Sequence, residues 1–208
     1  MTEFEKMTQG DFFNPSHISY LFPMLKSEYL QRKLNRTPLW FQGKRDRIFK
    51  KLVGSIDGRP LNVFSPVKVL YGKNIHIGKN FFGNSNMYLQ DCGEIFIGDN
   101  VFFGPNVTVA TVKHPICAEE RRSRVIKKSM ASGSRGCYEN AYSVHIGNDV
   151  LVYAGSIICP GVTIGDNTVI GAGSVVTRDI PPNVLACGVP CKVVREITEE
   201  DRIGVPNY

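Results

Sequence analysis

No apolar run in this chain approaches the roughly 18 residues of a membrane-spanning helix. The opening Met1-Thr-Glu-Phe-Glu-Lys6 also lacks the basic-then-apolar character of a secretory signal. The expectation is a cytoplasmic chain with no membrane partner. Its six cysteines form no Cys-x-x-Cys pair and fall short of disulfide-scaffold density, so reduced thiols are expected. Cys187 and Cys191 are near neighbours, but no histidine cluster accompanies them, and no metal is expected there. The net charge of +6 comes without a nucleic-acid-binding fold signature or interleaved aromatics, so no nucleic-acid partner is expected. Charge is uneven: residues 1–136 hold 21 Lys/Arg against 11 Asp/Glu, whereas residues 137–208 hold 4 against 8. The basic clusters Lys44-Arg45-Asp46-Arg47, Lys50-Lys51, Arg121-Arg122-Ser-Arg124 and Lys127-Lys128 read as solvated faces. An anionic small ligand is the second reading.

What the chain does have is a period of six. Ile146, Val152, Ile158, Ile164, Ile170 and Val176 recur without a break, glycine follows at 147, 165 and 171, and Asn, Asp or Gly tends to close each unit. This is neither the helical 3.6 nor simple alternation, and an internal repeat outranks local periodicity. Three hexapeptides make one triangular coil, and Ile146-Gly-Asn-Asp149 recurs 18 residues later as Ile164-Gly-Asp-Asn167. Earlier copies are Ile97-Gly-Asp-Asn100 with Phe103 and Val109, and Ile75-His-Ile-Gly78. The reading is a mainly β chain: a parallel β-helix over 61–195, each aliphatic stacking on its counterpart one coil away. A sandwich of short strands would not demand a fixed period.

Residues 1–60 read as a helical cap. Ile18, Phe22, Leu25 and Tyr29 follow helical spacing, with Pro23 kinking or restarting the segment. Thr37-Pro38 reads as an N-cap and first helical residue, with Ile48, Phe49, Leu52 and Val53 as an apolar face up to Gly54. Gly58-Arg-Pro60 turns the chain into the coils. A polar insertion at about 113–143, containing Ser129-Met-Ala-Ser-Gly-Ser134, has the composition of a mobile loop. The period ends at Ile180-Pro-Pro182, and 196–208 form a tail.

A β-helix implies no activity, so function must come from a site. His76 and His145 each precede an Ile-Gly pair at an outward-facing position and read as surface residues, while His17 lies in the cap. His114, followed by Pro115 at the mouth of the insertion, is well placed as a general base because imidazole titrates near working pH. Cys117, three residues on, is the nucleophile that a covalent route would choose.

Several motifs carry a more specific signal. They are Phe81-Phe-Gly-Asn-Ser-Asn86, Gly104-Pro-Asn-Val-Thr108 before His114-Pro115, the run Pro160 to Val184, and Gly188-Val-Pro-Cys-Lys-Val-Val-Arg195. With Glu5-Lys-Met-x-x-Gly10 and Leu34-Asn-x-Thr-Pro38, they resemble the maltose/galactoside O-acetyltransferase family over nearly the whole chain. The resemblance implies a left-handed β-helix, a homotrimer with sites between subunits, and acetyl-CoA in the groove between two prisms. It implies direct attack by an acceptor hydroxyl of a sugar or similar polyol, with His114 as base and Asn84 as polar partner across the interface. The backbone N–H of Ala154 would serve the oxyanion. Cofactor contacts would be Ala154, Ala172, Thr177, Arg178, Lys192 and Arg195, the three cations suiting the phosphate end of CoA. Acceptor contacts would be Asn14, Phe82, Asp91, Cys92 and Glu139.

The chain departs from the family at Cys92, where the galactoside type has a carboxylate, at Leu151, where an aromatic is common, and in its long basic insertion. Acetylation of an antibiotic or a nucleotide-sugar amine is therefore an open alternative. A zinc carbonic-anhydrase-like lyase is another, although it needs three converging histidines.

Overall fold

The expected aliphatic column is the core of the molecule. Ile146 pairs with Ile164, Val152 with Ile170 and Ile158 with Val176, all parallel. One coil earlier, Ile97, Phe103 and Val109 lie against Ile146, Val152 and Ile158. All of these side chains are buried, and burying one such side chain is worth about 1.5–3 kcal/mol. The computed structural model describes residues 1–58, 62–122, 124–125 and 135–204. Arg59, Pro60, Lys127, Lys128 and the segment 129–134 lie outside the described residues, as do the side chains at 124, 125, 135 and 136.

Short strands stack into three faces of a prism. The first face holds Ser55–Ile56, Ile75–Ile77, Ile95–Ile97, Val144–Ile146 and Thr163–Ile164. The second holds Asn62–Val63, Phe82–Gly83, Phe102–Phe103, Leu151–Val152, Val169–Ile170 and Val184–Cys187, closed by the antiparallel strand Lys192–Glu196. The third holds Val67–Val69, Met87–Gln90, Thr108–Ala110, Ile157–Ile158 and Val175–Val176. Coiling thus begins at Ser55, a few residues before the expected boundary.

Between the first and second faces a side-chain ladder fixes the register. The Oδ1 atoms of Asp99, Asn148 and Asp166 accept from the backbone N–H of Lys79, Asp99 and Asn148 at 2.7, 2.8 and 2.7 Å. This ladder explains the glycine after each isoleucine: a Cβ on Gly147 would lie 2.2 Å from Asp166 Oδ1. The residue that turns this corner is Asn or Asp in the left-handed region, at φ 57° for Asn100, 56° for Asp149 and 53° for Asn167. Short polar side chains visit that region most readily after glycine.

The coils are not all of one length. Asn148 and Asp166 are 18 residues apart, but Asn80 and Asn100 are 20 apart. The surplus lies at the corner between the third and first faces, at Leu70–Asn74 and again at Asp91–Glu94. The long insertion leaves from that same corner. It does not depart as an open loop: Val112–Lys113 pairs antiparallel with Asn140–Ala141, followed by the short helix Ala118–Arg121 and a second pair, Arg124–Val125 with Arg135–Gly136.

Asp91 holds the enlarged corner. Its buried carboxylate accepts from the backbone N–H of Leu70, Tyr71 and Asn74 at 3.0, 2.9 and 3.3 Å. Burial pushes this carboxyl up to about 6, against the pull of those donors. Cys92 is buried beside it in a second core with Met7, Phe13, Tyr20, Tyr71 and Ala141, its thiol pushed up to about 12 by burial. Asn14 is buried too, its Oδ1 accepting the Ser16 N–H at 3.0 Å. Each of these three expected acceptor contacts thus also serves the corner or the cap: Asp91 is fully buried, while Cys92 and Asn14 keep 3% and 5% of their surface.

The cap comprises α1 (Glu3–Gln9), α2 (Leu21–Arg36) and α3 (Gln42–Leu52). Pro23 falls in the first turn of α2, so it restarts the helix and does not kink it. The expected apolar stripe is not the packed one: Phe22 and Tyr29 are 77% and 63% exposed, while Ser27, Leu30 and Leu34 are buried. The side-chain amides of α2 act as a substitute strand along the open third-face edge. Asn35 exchanges hydrogen bonds with the Val67 carbonyl and N–H at 2.8 and 2.9 Å, and Gln31 does the same for Val69 at 3.4 and 3.2 Å. Thr37 ends α2, its hydroxyl donating to the Lys33 carbonyl, so the expected N-cap is a C-terminal residue and α3 starts at Gln42. Arg45, expected on a solvated face, is buried and donates to the carbonyls of Leu34, Thr37 and Val63 and to Ser65 Oγ.

Removing either buried charge strands its partners. Arg45→Ala should cost about 3 kcal/mol or more in urea unfolding, and Arg45→Lys should recover little, because one ammonium cannot span four fixed acceptors. Asp91→Ala should cost about 2–4 kcal/mol by exposing no partner to three buried donors. An unchanged unfolding midpoint in either variant would contradict the assigned role.

Candidate active site

The pairing of Val112–Lys113 with Asn140–Ala141 brings the two ends of the insertion together. His114 follows the first strand directly, and Glu139 precedes the second. Their approach is 3.4 Å between His114 Nδ1 and Glu139 Oε1. Glu139 is fixed from the other side by the cap, since its backbone exchanges hydrogen bonds with Phe13 at 3.0 and 3.1 Å. The imidazole is half exposed, while the carboxylate side chain keeps 14% of its surface. Burial raises the Glu139 carboxyl above its ordinary range, and the charge of His114 acts to lower it. A partly buried carboxylate behind a histidine can hold one tautomer and stabilise the imidazolium that forms on proton uptake.

Cys137 was not singled out by sequence reasoning. Its Sγ lies 3.7 Å from His114 Nδ1. His114, Cys137 and Glu139 together offer one ligand atom each within 4.8 Å of one another. Only the hairpin closure could reveal this, because 23 residues separate the histidine from the thiol. Cys117, the residue considered as nucleophile, instead precedes the short helix Ala118–Arg121 and is exposed.

The remaining expected site residues divide between two corners of the same prism. Asn84, Ala154 and Ala172 line the corner between the second and third faces. There the backbone forms its own ladder, Asn106 N–H to Ser85 O, Gly155 N–H to Pro105 O and Gly173 N–H to Ala154 O, each at 2.9 Å. Ala154 is half-buried and Ala172 exposed. Thr177 and Arg178, both exposed, stand with His114 and Glu139 on the other corner, between the third and first faces. Lys192 and Arg195 project from the antiparallel strand that closes the second face. Arg195 is held bidentately by Asp201, at 2.8 and 2.5 Å. Phe82 belongs to an aromatic ladder on the second face, stacked on Phe102 at 5.6 Å with Phe64 at 5.4 Å from it. The single chain thus brings together His114 and Glu139, but not Asn84, Ala154 or Phe82. His76 and His145 are the surface residues expected, stacked on either side of Phe96 at 4.9 and 4.8 Å. Among the described residues no helix is long and apolar enough to cross a membrane.

Comparison with known proteins agrees with this geometry. Residues 143–178 match the family model described as bacterial transferase hexapeptide (six repeats). The galactoside O-acetyltransferase of Escherichia coli K12 is 43% identical over 198 residues, covering 95% of this chain and 91% of its own. A maltose O-acetyltransferase from Clostridium difficile 630 superposes with a TM-score of 0.85 at 41% identity, covering 96% of this chain and 99% of its own. A galactoside acetyltransferase in complex with coenzyme A superposes at 0.84 with 37% identity, covering 97% and 94%. With the prism, the cap and near-complete coverage at this identity, the chain belongs to the hexapeptide-repeat family of galactoside and maltose O-acetyltransferases.

Proposed function

We propose that this protein transfers the acetyl group of acetyl-CoA to a hydroxyl of a sugar or similar polyol, in sites between the subunits of a homotrimer. The observation that carries this reading is the split of the machinery. A base with its carboxylate partner stands on one corner, and the small residues suited to a pantetheine arm run along another. Two prisms side by side would bring unlike corners together, and the relative solved in complex with coenzyme A supports CoA as the cofactor. Six free cysteines fit a reducing cytoplasm.

In the proposed mechanism Glu139 accepts from His114 Nδ1–H, leaving Nε2 to take the acceptor hydroxyl proton as its oxygen attacks the thioester carbonyl. The backbone N–H of Ala154, with Asn84, stabilises the oxyanion. Collapse expels the CoA thiolate, which takes the proton back from His114. The thioester is already activated, so the route needs neither an acyl-enzyme nor a metal. Thr177, Arg178 and Lys192 lie on exposed ground at the end of the coils, suited to the ribose and phosphates of CoA. Arg195 contributes there only if it leaves Asp201. Glu139 and, from a neighbouring subunit, Phe82 are the acceptor-side contacts that remain exposed enough to serve.

His114→Ala should lower kcat by at least ~10²-fold and leave the CoA Kd nearly unchanged, as removal of a general base requires. Sequential initial-rate kinetics with a panel of sugar, polyol and amine acceptors, followed by CoA release, test the reaction class. Ping-pong kinetics or full turnover in His114→Ala would refute it. Arg178→Ala combined with Lys192→Ala should weaken CoA by about ten-fold, about 1.4 kcal/mol, and more at low ionic strength. Acetyl-pantetheine, which lacks the nucleotide phosphates, should bind the wild type and the double variant alike. Equal loss for both ligands would move the phosphate site elsewhere.

A further inference from the structure

The hairpin that seats His114 also builds a second kind of site. We propose that His114 Nδ1, Cys137 Sγ and a Glu139 carboxylate oxygen bind a divalent transition ion of the zinc class, and that the bound ion switches the histidine off as a base. The geometry fits one ion. Ligand atoms at about 2.0–2.3 Å from a tetrahedral Zn²⁺ are spaced about 3.3–3.7 Å apart. The His114 Nδ1 to Glu139 Oε1 separation is 3.4 Å, and that to Cys137 Sγ is 3.7 Å. All three donors already lie within 4.8 Å of one another, so no large rearrangement is needed.

The donor set is an imidazole, a thiol and a carboxylate, the types that zinc takes, with a fourth position left to solvent. Two of the donors are pinned by backbone pairing: His114 follows the strand Val112–Lys113, and Glu139 is bridged to Phe13 of the cap. Binding releases the Cys137 thiol proton to solvent. The half-exposed imidazole leaves an entry path.

The consequence for catalysis follows from the ring. A neutral imidazole carries one proton. When Glu139 accepts Nδ1–H, Nε2 is bare and can take a proton. When an ion occupies Nδ1, the ring proton resides on Nε2, and the ring can no longer act as a base. Glu139 is drawn away at the same time. The proposed acetyl transfer uses no thiol, which leaves Cys137 beside the base free to serve as a metal ligand. The inhibitory half rests on His114 being the base; the binding half does not.

Co²⁺ titration of the full-length protein tests binding without any turnover. Cys117→Ser, Cys159→Ser and Cys187→Ser remove the other thiols that are not buried. One Co²⁺ per chain with a thiolate charge-transfer band is expected, lost in Cys137→Ser and in His114→Ala. Binding that survives both substitutions, or that shows no thiolate band, overturns the site. Zn²⁺ should inhibit acetyl transfer reversibly with chelator. Cys137→Ser should keep metal-free turnover within about two-fold and need at least ~10-fold more Zn²⁺ for half inhibition, a ratio worth about 1.4 kcal/mol. Equal sensitivity in the two proteins overturns the switch. A protein that binds Co²⁺ as described but acetylates no acceptor would leave the site standing and remove the acetyltransferase reading instead.

Discussion

Everything in this molecule depends on keeping each coil in register with the next. Stacked aliphatics alone would tolerate sliding along a strand, because neighbouring side chains on one face are chemically alike. The Asp99, Asn148 and Asp166 carbonyl or carboxylate oxygens remove that freedom, since each must meet one backbone N–H of the preceding coil. Their price is glycine beside every rung, where a Cβ would collide. Any residue beyond six per side must leave the prism at a corner, and in this chain the surplus leaves repeatedly at the corner between the third and first faces. The site grows there because the register forbids growth elsewhere.

A solenoid also has two ends, each an edge of unpaired backbone groups that must be blunted. At the C-terminal end the strand Lys192–Glu196 folds back antiparallel on Val184–Cys187. At the other end α2 supplies Asn35 and Gln31, whose amides present a donor and an acceptor with the spacing of a strand. Arg45 finishes that end, joining the last carbonyls of α2 to the first second-face strand. The cap that solves the edge problem then reaches back along the enlarged corner. Tyr20 and Phe13 pack against Tyr71 and Cys92, and Phe13 bridges to Glu139. Stability of the end and placement of the carboxylate are thus one construction.

The six-residue period was legible because an inward side chain recurs at fixed steps whatever the corner contains. The 20-residue coils were not, since two added corner residues leave the aliphatic steps within each side intact. The helices failed in a different way. The stripe Ile18, Phe22, Leu25 and Tyr29 has helical spacing yet faces outward, because the buried side of α2 is chosen by hydrogen bonding to an edge strand and so carries Ser27, Gln31 and Asn35. Arg45 read as solvated because it sits among cations, and only the convergence of three carbonyls reveals its burial. At the site, His114 could be picked from its place before the insertion, and Glu139 from family likeness. Cys137 could not, since its neighbour is set by a hairpin with no turn signature. The structural role of Asp91 and Cys92 was not legible either, because the enlarged corner they hold leaves no mark on the six-residue period.

On the proposed reading, the division of labour between corners lets one scaffold change acceptor without losing its cofactor. The column Asn84, Ala154 and Ala172 is built into regular corners, where an inserted residue would break the backbone ladder that joins Ser85, Pro105 and Ala154 to the next coil. The corner bearing His114 is held at its base by the pairing of Val112–Lys113 with Asn140–Ala141 and by the bridge from Glu139 to Phe13. Whatever lies between those strands can lengthen, gain charge or gain a thiol while the base and its carboxylate stay in place. Change is therefore cheapest on the loop side of a rigid frame. The basic insertion and Cys137 both lie in that stretch, and on the proposed reading the thiol bears on when the base is free to act.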